Sequence, residues 1–256
     1  MQFGEFGLRI LSCAIILVCQ PFSLTSGESP HGAHESHSPI AGSQQHDLPI
    51  SGWDGSAEGK AYSEFNHRLA GALVILIGVG ELRGGFSAAL LPWTRFLLPG
   101  SMLGAGSYLL VWSDHDAWPI GPETFMETFF GDNFQTMQHK LYALLLLTVG
   151  SIEWFKRSGR LSVHYWSWPL PVFAMIGGLL LFLHSHSDHP SAHEIARHHA
   201  IMGVTALMAG SCLVMSEYAV TGSAKLASVS QRQARWKLAW SVLVLIIGVQ
   251  LLAYAE

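Results

Sequence analysis

The sequence predicts an all-α polytopic membrane bundle: six transmembrane helices, built as three hairpins, after an N-terminal signal peptide. Three observations carry that expectation. Of the 256 residues, 50% are hydrophobic and only 12% are charged, against about 25% charged in ordinary soluble domains. The apolar residues gather into six blocks, each approaching or reaching the ~17 to 25 residues that a helix needs to cross the hydrocarbon core. The Lys and Arg residues divide unevenly between the joining segments, which is how a membrane chain encodes its orientation. An open sheet is excluded in lipid, because hydrocarbon leaves its edge groups unsatisfied.

The elements follow in order. Arg9 precedes an apolar run over residues 10–18, and Ser23, Thr25, Ser26 and Gly27 follow at plausible cleavage positions, so residues 1–27 read as a signal peptide. Cys13 and Cys19 would leave with it, and Cys212 lies in an apolar block, so no disulfide framework is available. Residues 28–60 are rich in Ser, Gly, Pro and His without periodicity and read as a disordered, exported tail. Residues 61–256 form the membrane domain, with apolar blocks at 66–82, 95–112, 138–155, 169–185, 198–218 and 238–255. Pro99, Pro169 and Pro171 fall near helix ends or in a first turn, where proline is tolerated.

If the tail is exported, the inward segments hold nine basic residues: Arg83, Arg95, Lys156, Arg157, Arg160, Lys225, Arg232, Arg235 and Lys237. The exported side holds four: Lys60, Arg68, Lys140 and Arg197. This bias agrees with the positive-inside rule and with the signal peptide. Trp53, Trp93, Trp112, Trp118, Trp154, Trp166 and Trp168 lie near block boundaries as an aromatic belt. Gly71, Gly78, Gly104, Gly177, Gly178 and Gly203 are expected at close contacts between spans.

On this topology thirteen of the fourteen histidines share the exported side, His164 being the exception. Spans one, three and five open similarly: Asn66-His67-Arg68-Leu69-Ala70-Gly71, Gln138-His139-Lys140-Leu141-Tyr142-Ala143 and His198-His199-Ala200-Ile201-Met202-Gly203. In the first two a glutamate, Glu81 or Glu153, follows fourteen residues after the histidine. That spacing returns to within about 40° of the same face, about 21 Å along the helix. Glu81 and Glu153 are expected to pair with Arg83 and Arg157 at the inner boundary. Imidazoles at matching depth on different helices can converge on one ion.

A second group closes span four and opens span five: His184, His186, Asp188, His189, His193, His198 and His199. Ser191 and Glu194 resemble a capping box for span five. His115, between Asp114 and Asp116, offers another ligand set, and Asp114 and Asp188 are the nearest carboxylates to hold the second nitrogen of a ligating ring. The tail adds His31, His34, His37 and His46, a compositional metal signal.

Several activities are excluded. His193-Glu194-Ile195-Ala196-Arg197-His198 carries one residue too many for a zinc-protease motif, since an i, i+5 pair lies about 140° apart on a helix. No nucleophile elbow, P-loop or dinucleotide fingerprint occurs, so no enzyme is predicted. A net charge of −4 without a basic patch gives no case for nucleic acid. Imidazole suits copper, zinc, iron and nickel, and sulfur near the ring is limited to Met126, Met137 and Met202, so the donors lean to Cu(II) or Zn(II).

The stretches Gln138-His139-Lys140-Leu141, Leu183-His184-Ser185-His186 and His198-His199-Ala200-Ile201-Met202-Gly203 resemble the bacterial copper resistance protein D type of inner-membrane protein. That resemblance implies copper handling at the periplasmic face, in transport, resistance or homeostasis, with a periplasmic copper-binding protein as partner beside the lipid bilayer. The chain departs from it in having six mature spans where eight are more usual, and in its His-rich tail. Separately, Glu64-Phe65-Asn66-His67-Arg68-Leu69-Ala70-Gly71 is similar to the helix openings of haem A synthase. The alternative this implies is a haem b electron-transfer protein, with His67, His139, His184 and one of His198 and His199 as axial ligands. A membrane assembly or scaffold role is the third expectation. No Cys-x-x-Cys-His haem attachment motif is present.

Overall fold

The computed structural model describes residues 56–86, 92–162, 164–183, 192–221 and 226–255, and every regular element among them is helical. Helix α1 spans Ala57–Phe86, and a 3₁₀ turn at Pro92–Phe96 leads into α2, Leu97–Trp112. A short α3, Phe125–Phe130, precedes α4, Phe134–Arg157. After a second 3₁₀ turn at His164–Ser167 come α5, Pro169–Leu181, α6, Ala192–Thr221, and α7, Leu226–Leu252. The signal peptide and most of the tail lie outside the described residues.

Three helices contain stretches long and apolar enough to cross a membrane: Ala57–Leu82, Ala192–Ala219 and Gln231–Leu252. The other three large helices fall short of that for different reasons. Helices α2 and α5 have 16 and 13 residues, less than the ~17 that span a hydrocarbon core. Helix α4 has 24 residues, but its first two turns are polar and it ends on Lys156 and Arg157.

The six large helices pack in chain order, and α7 returns to α1 to close a ring. Leu98 and Met102 of α2, Val149 of α4, Leu213 of α6, and Trp240 and Val244 of α7 are buried in one apolar cluster at its centre. Lipid removes the hydrophobic drive between helices, so close approach of backbones takes over. Gly71 lies against Gly248, where an added Cβ would stand 2.9 Å from the Gly248 carbonyl oxygen. Gly178 and Gly203 face each other in the same way across α5 and α6. Gly78 meets Leu245, as expected, whereas Gly104 faces open space and Gly177 has only a loose contact with Tyr142. The glycines that seal α2 against α4, Gly106 and Gly150, were not singled out by sequence.

Helices α1, α4, α6 and α7 start before their apolar blocks, because polar residues extend them, whereas α2 and α5 are shorter than theirs. Helix α1 begins at Ala57, within the stretch expected to be tail, so His67 sits nearly three turns inside rather than in the first turn. Asn133 caps α4, its side-chain oxygen accepting from the Thr136 N–H at 3.1 Å, which puts His139 in the second turn. Helix α3 was not foreseen. Thr124 and Glu127 form a reciprocal capping box at its start, which needs no apolar periodicity to announce it.

At one end of the ring the two spaced glutamates converge on one cation. Arg157 donates to Glu81 at 2.8 Å and to Glu153 at 3.3 Å, and also to the Arg95 carbonyl at 2.8 Å. Lys156 completes the group on Glu153 at 2.5 Å. The pairing expected of Arg157 is present, and it joins α1, the 3₁₀ turn before α2, and α4, while the Arg83 side chain lies outside the described residues.

A Cβ added at Gly248 would stand 2.8 Å from the Ile75 side chain and 3.0 Å from its backbone nitrogen on α1, whereas a Cβ at Gly104 meets nothing within 4 Å. We expect Gly248→Leu to destabilise the purified protein by about 1–3 kcal/mol, as overpacking does, and Gly104→Leu to be close to neutral. Thermal melts in one detergent check this, and equal losses from both would refute the close approach.

Candidate functional site

The opposite end of the ring carries the histidines, and two connected groups are built there. The first ties α1, α2 and α4 together. Tyr108 of α2 donates to the Asn66 side chain of α1 at 2.7 Å, and Asn66 donates to the Ser113 carbonyl at 3.4 Å. Tyr62 reaches the Trp112 carbonyl. The Ser113 hydroxyl lies within reach of both the Leu109 carbonyl and Asp114. Asp114 then meets α4, where His139 approaches Oδ1 through Nδ1 at 2.8 Å and Lys140 approaches Oδ2 at 3.5 Å.

Lys140 is fully buried, and its ammonium also donates to the Leu110 carbonyl at 3.0 Å. Burial by itself would raise the Asp114 carboxyl, but the His139 hydrogen bond and charge, the Ser113 hydroxyl and the Lys140 ammonium outweigh it and hold it below the ordinary carboxylate range. An ionised carboxylate only accepts hydrogen bonds, so Nδ1 of His139 must donate to it. In the neutral ring this hydrogen bond leaves Nε2 as the acceptor, the form in which histidine ligates metals.

The second group ties α1, α6 and α7. His67 donates from Nδ1 to the Ser63 carbonyl one turn earlier, at 2.8 Å, so it too presents Nε2 as acceptor. Its ring lies flat on Tyr254, just beyond α7, with centroids 3.8 Å apart and planes 16° apart. His198 meets the same tyrosine edge-on at 5.5 Å, and His199 lies 6.3 Å from it. The centroids of His67 and His199 are 6.0 Å apart. Both Tyr254 and His199 are 2% exposed, while His67 and His198 are half-buried. His198 faces Glu194 at 3.6 Å through Nε2, while its Nδ1 is buried with no hydrogen-bond partner.

The remaining candidates are elsewhere. His115 is exposed, 3.1 Å from Asp116, with its ring edge-on to Tyr62 at 6.4 Å. His193 is exposed in the first turn of α6. His184, His186, Asp188 and His189 lie outside the described residues, as does Ser191 of the expected capping box. Glu194 is engaged with Arg197 and His198. Among the described residues no three His, Cys, Asp or Glu side chains stand close enough together to hold a metal ion. The structure therefore brings His67, His198 and His199 around Tyr254, and places His139 in the adjoining carboxylate group.

Sequence reasoning named Asp114 as a partner for a ligating ring but missed Tyr254 and Lys140. A lone tyrosine near the end of the last block gives no periodic signal. Lys140 looked like a boundary cation, because nothing in the sequence shows the carbonyl and carboxylate that accept its charge.

Two of these imidazoles, His67 and His199, stand at a spacing that one shared ion would allow. Two bonds of about 2.0–2.1 Å, with about 1 Å of ring radius at each end, put two imidazole centroids on one ion roughly 5–6 Å apart. His67 and His199 stand at that spacing, and the buried, unsatisfied Nδ1 of His198 is the kind of group a ligand satisfies. Comparison with protein-family models, with curated proteins and with solved structures finds no match to this chain.

The depressed Asp114 carboxyl gives a pH test. A group whose folded value is lowered stabilises fully above its unfolded value, about 3.9 for Asp, and that stability is lost as pH falls through the folded value. We expect Asp114→Asn to lower the melting temperature at pH 5–8, and the gap from wild type to close only below about pH 4. A gap that stays unchanged as pH falls through the carboxylate range would contradict this.

Proposed function

We propose that this protein is a six-span bacterial inner-membrane protein that binds a transition metal, copper foremost, at imidazoles gathered on its periplasmic end, in copper transport, resistance or homeostasis. The observation that carries this reading is the meeting of His67 from α1 with His198 and His199 from α6 around Tyr254, with His67 and His139 each held through Nδ1 by an acceptor. Anchoring of the outer nitrogen is the usual support of a ligating histidine. Imidazole donors favour Cu(II) over other divalent first-row ions competing for the same site.

His67 and His199 would supply the first two ligands. His198, His139, and the His184, His186, Asp188 and His189 run that joins α5 to α6 in the chain are the candidates for the rest. When bound, copper supplies a soft-to-borderline cation for capture and hand-over. The chain's own part is to fix ring orientation, keep Nε2 as acceptor and exclude water beneath Tyr254.

A bis-histidine haem is the second reading, favoured by the 6.0 Å between His67 and His199 on different helices. Tyr254 weighs against it. Its ring lies 3.8 and 6.3 Å from those two imidazoles, within the disc that a porphyrin between them would occupy. An ion needs no such disc.

The topology follows the nine-to-four split of basic residues and the sorting of Arg157 and the histidines to opposite ends. Reporter fusions after Arg83, Lys156 and Arg232 should all report the cytoplasm, and an external signal at any one contradicts it. For binding, Cu(II) competition titrations on the purified chain should show His199→Ala losing about 10- to 100-fold in affinity, the loss typical even of an outer-shell partner. Deleting residues 31–46 should leave the high-affinity step in place. Equal losses from the two changes would make the tail the binding element.

A further inference from the structure

A cavity of ≈ 600 Å³ lies between the end of α6 and the start of α7, lined by Met215, Tyr218 and Ala219 on one side and Arg232, Arg235, Trp236 and Ala239 on the other. It stands at the end of the ring opposite the histidines. Its size falls within the about 300–1,000 Å³ of small-ligand sites. The two walls end where two of the membrane-length stretches end, at Ala219 and Gln231, so the cavity opens at the boundary between hydrocarbon and headgroups.

Its chemistry is graded along that boundary. Arg232, Arg235, Trp236 and Ala239 recur at i, i+3, i+4 and i+7 and so share one face of α7. The two guanidiniums sit at the polar rim, while Met215, Ala219 and Ala239 form an apolar floor below. Neither arginine is paired with a carboxylate among the described residues, and none of the described acidic side chains lines the cavity. Arg157, at the same end of the ring, is held by two glutamates, so the contrast is local. Tyr218 is braced edge-on by Trp168 at 5.4 Å, and Trp236 is about one-third exposed. Amphipathic rings of this kind settle at headgroup level.

We propose that this cavity is a binding site for an anionic phospholipid, with the lipid phosphate between Arg232 and Arg235 and the first acyl segments over Met215, Ala219 and Ala239. Two uncompensated arginines match an anion, and guanidinium forks suit phosphate oxygens. An apolar floor continuous with the bilayer matches the chains. Basic pockets between membrane helices recognise such headgroups. The inference rests on the membrane placement of α6 and α7 and is independent of the metal reading.

The test is native mass spectrometry of the full chain in a mild detergent, titrated separately with phosphatidylglycerol, phosphatidylethanolamine and inorganic phosphate. Wild type should retain phosphatidylglycerol in preference to phosphatidylethanolamine. The double variant R232Q/R235Q should weaken that retention about 25-fold, roughly fivefold for each basic residue, with its helical circular dichroism and its Cu(II) affinity unchanged. Should the double variant not fold, Trp236→Ala and the wild-type lipid preference carry the test, with the tryptophan variant expected to retain less phosphatidylglycerol. Equal retention of the two lipids by wild type would overturn the proposal. So would undiminished retention by the folded variants, or displacement of the lipid by equimolar inorganic phosphate, which would mark a simple anion site.

Discussion

Apolar surroundings cannot solvate a polar group, and that single constraint organises this protein. An unsatisfied donor or acceptor in hydrocarbon costs several kcal/mol, so charged and polar side chains on long apolar helices must find one another. They do so in two places. Arg157 collects Glu81, Glu153 and the Arg95 carbonyl at one end. Asp114 collects His139, Lys140 and Ser113 at the other. Between these knots the contacts are mostly apolar side chains and glycine, with Tyr142 of α4 donating to the Gly177 carbonyl of α5 at 3.0 Å.

The sorting of imidazoles to one end gives the second knot its chemical character. Histidine can satisfy a neighbour with one nitrogen and keep the other for a ligand, which neither lysine nor arginine can do. His67 uses a backbone carbonyl for this purpose and His139 a carboxylate. The same hydrogen bonds that meet the demands of burial therefore also fix the orientation of these two rings. Tyr254 lies beside His67 and His199, its ring stacked on His67 at 3.8 Å and 6.3 Å from His199.

Much of this was legible in the residues. The helical class followed from the apolar blocks, and the fourteen-residue interval from His67 to Glu81 and from His139 to Glu153 foretold that each end of the ring would carry its own chemistry. Asp114 was legible as a ring partner because carboxylates beside histidines commonly serve that role. Helix starts were not, since polar residues such as Ser63 and Asn133 extend a helix without any apolar signal. Contacts that cross the chain were also hidden. Gly178 against Gly203 could be guessed from residue type, but Gly104 has the same type and no neighbour. Tyr254 meets His67 only because α7 returns to α1.

The central claim is that an ion is held by imidazoles of the helical ring. Copper-edge X-ray absorption on the protein loaded with one equivalent of Cu(II), compared with His67→Ala/His199→Ala, addresses it directly. The account predicts a nitrogen shell near about 2.0 Å with the outer scattering of imidazole rings in wild type, reduced by two rings in the variant. An unchanged imidazole signal in the variant, or a shell made only of oxygen, would contradict it.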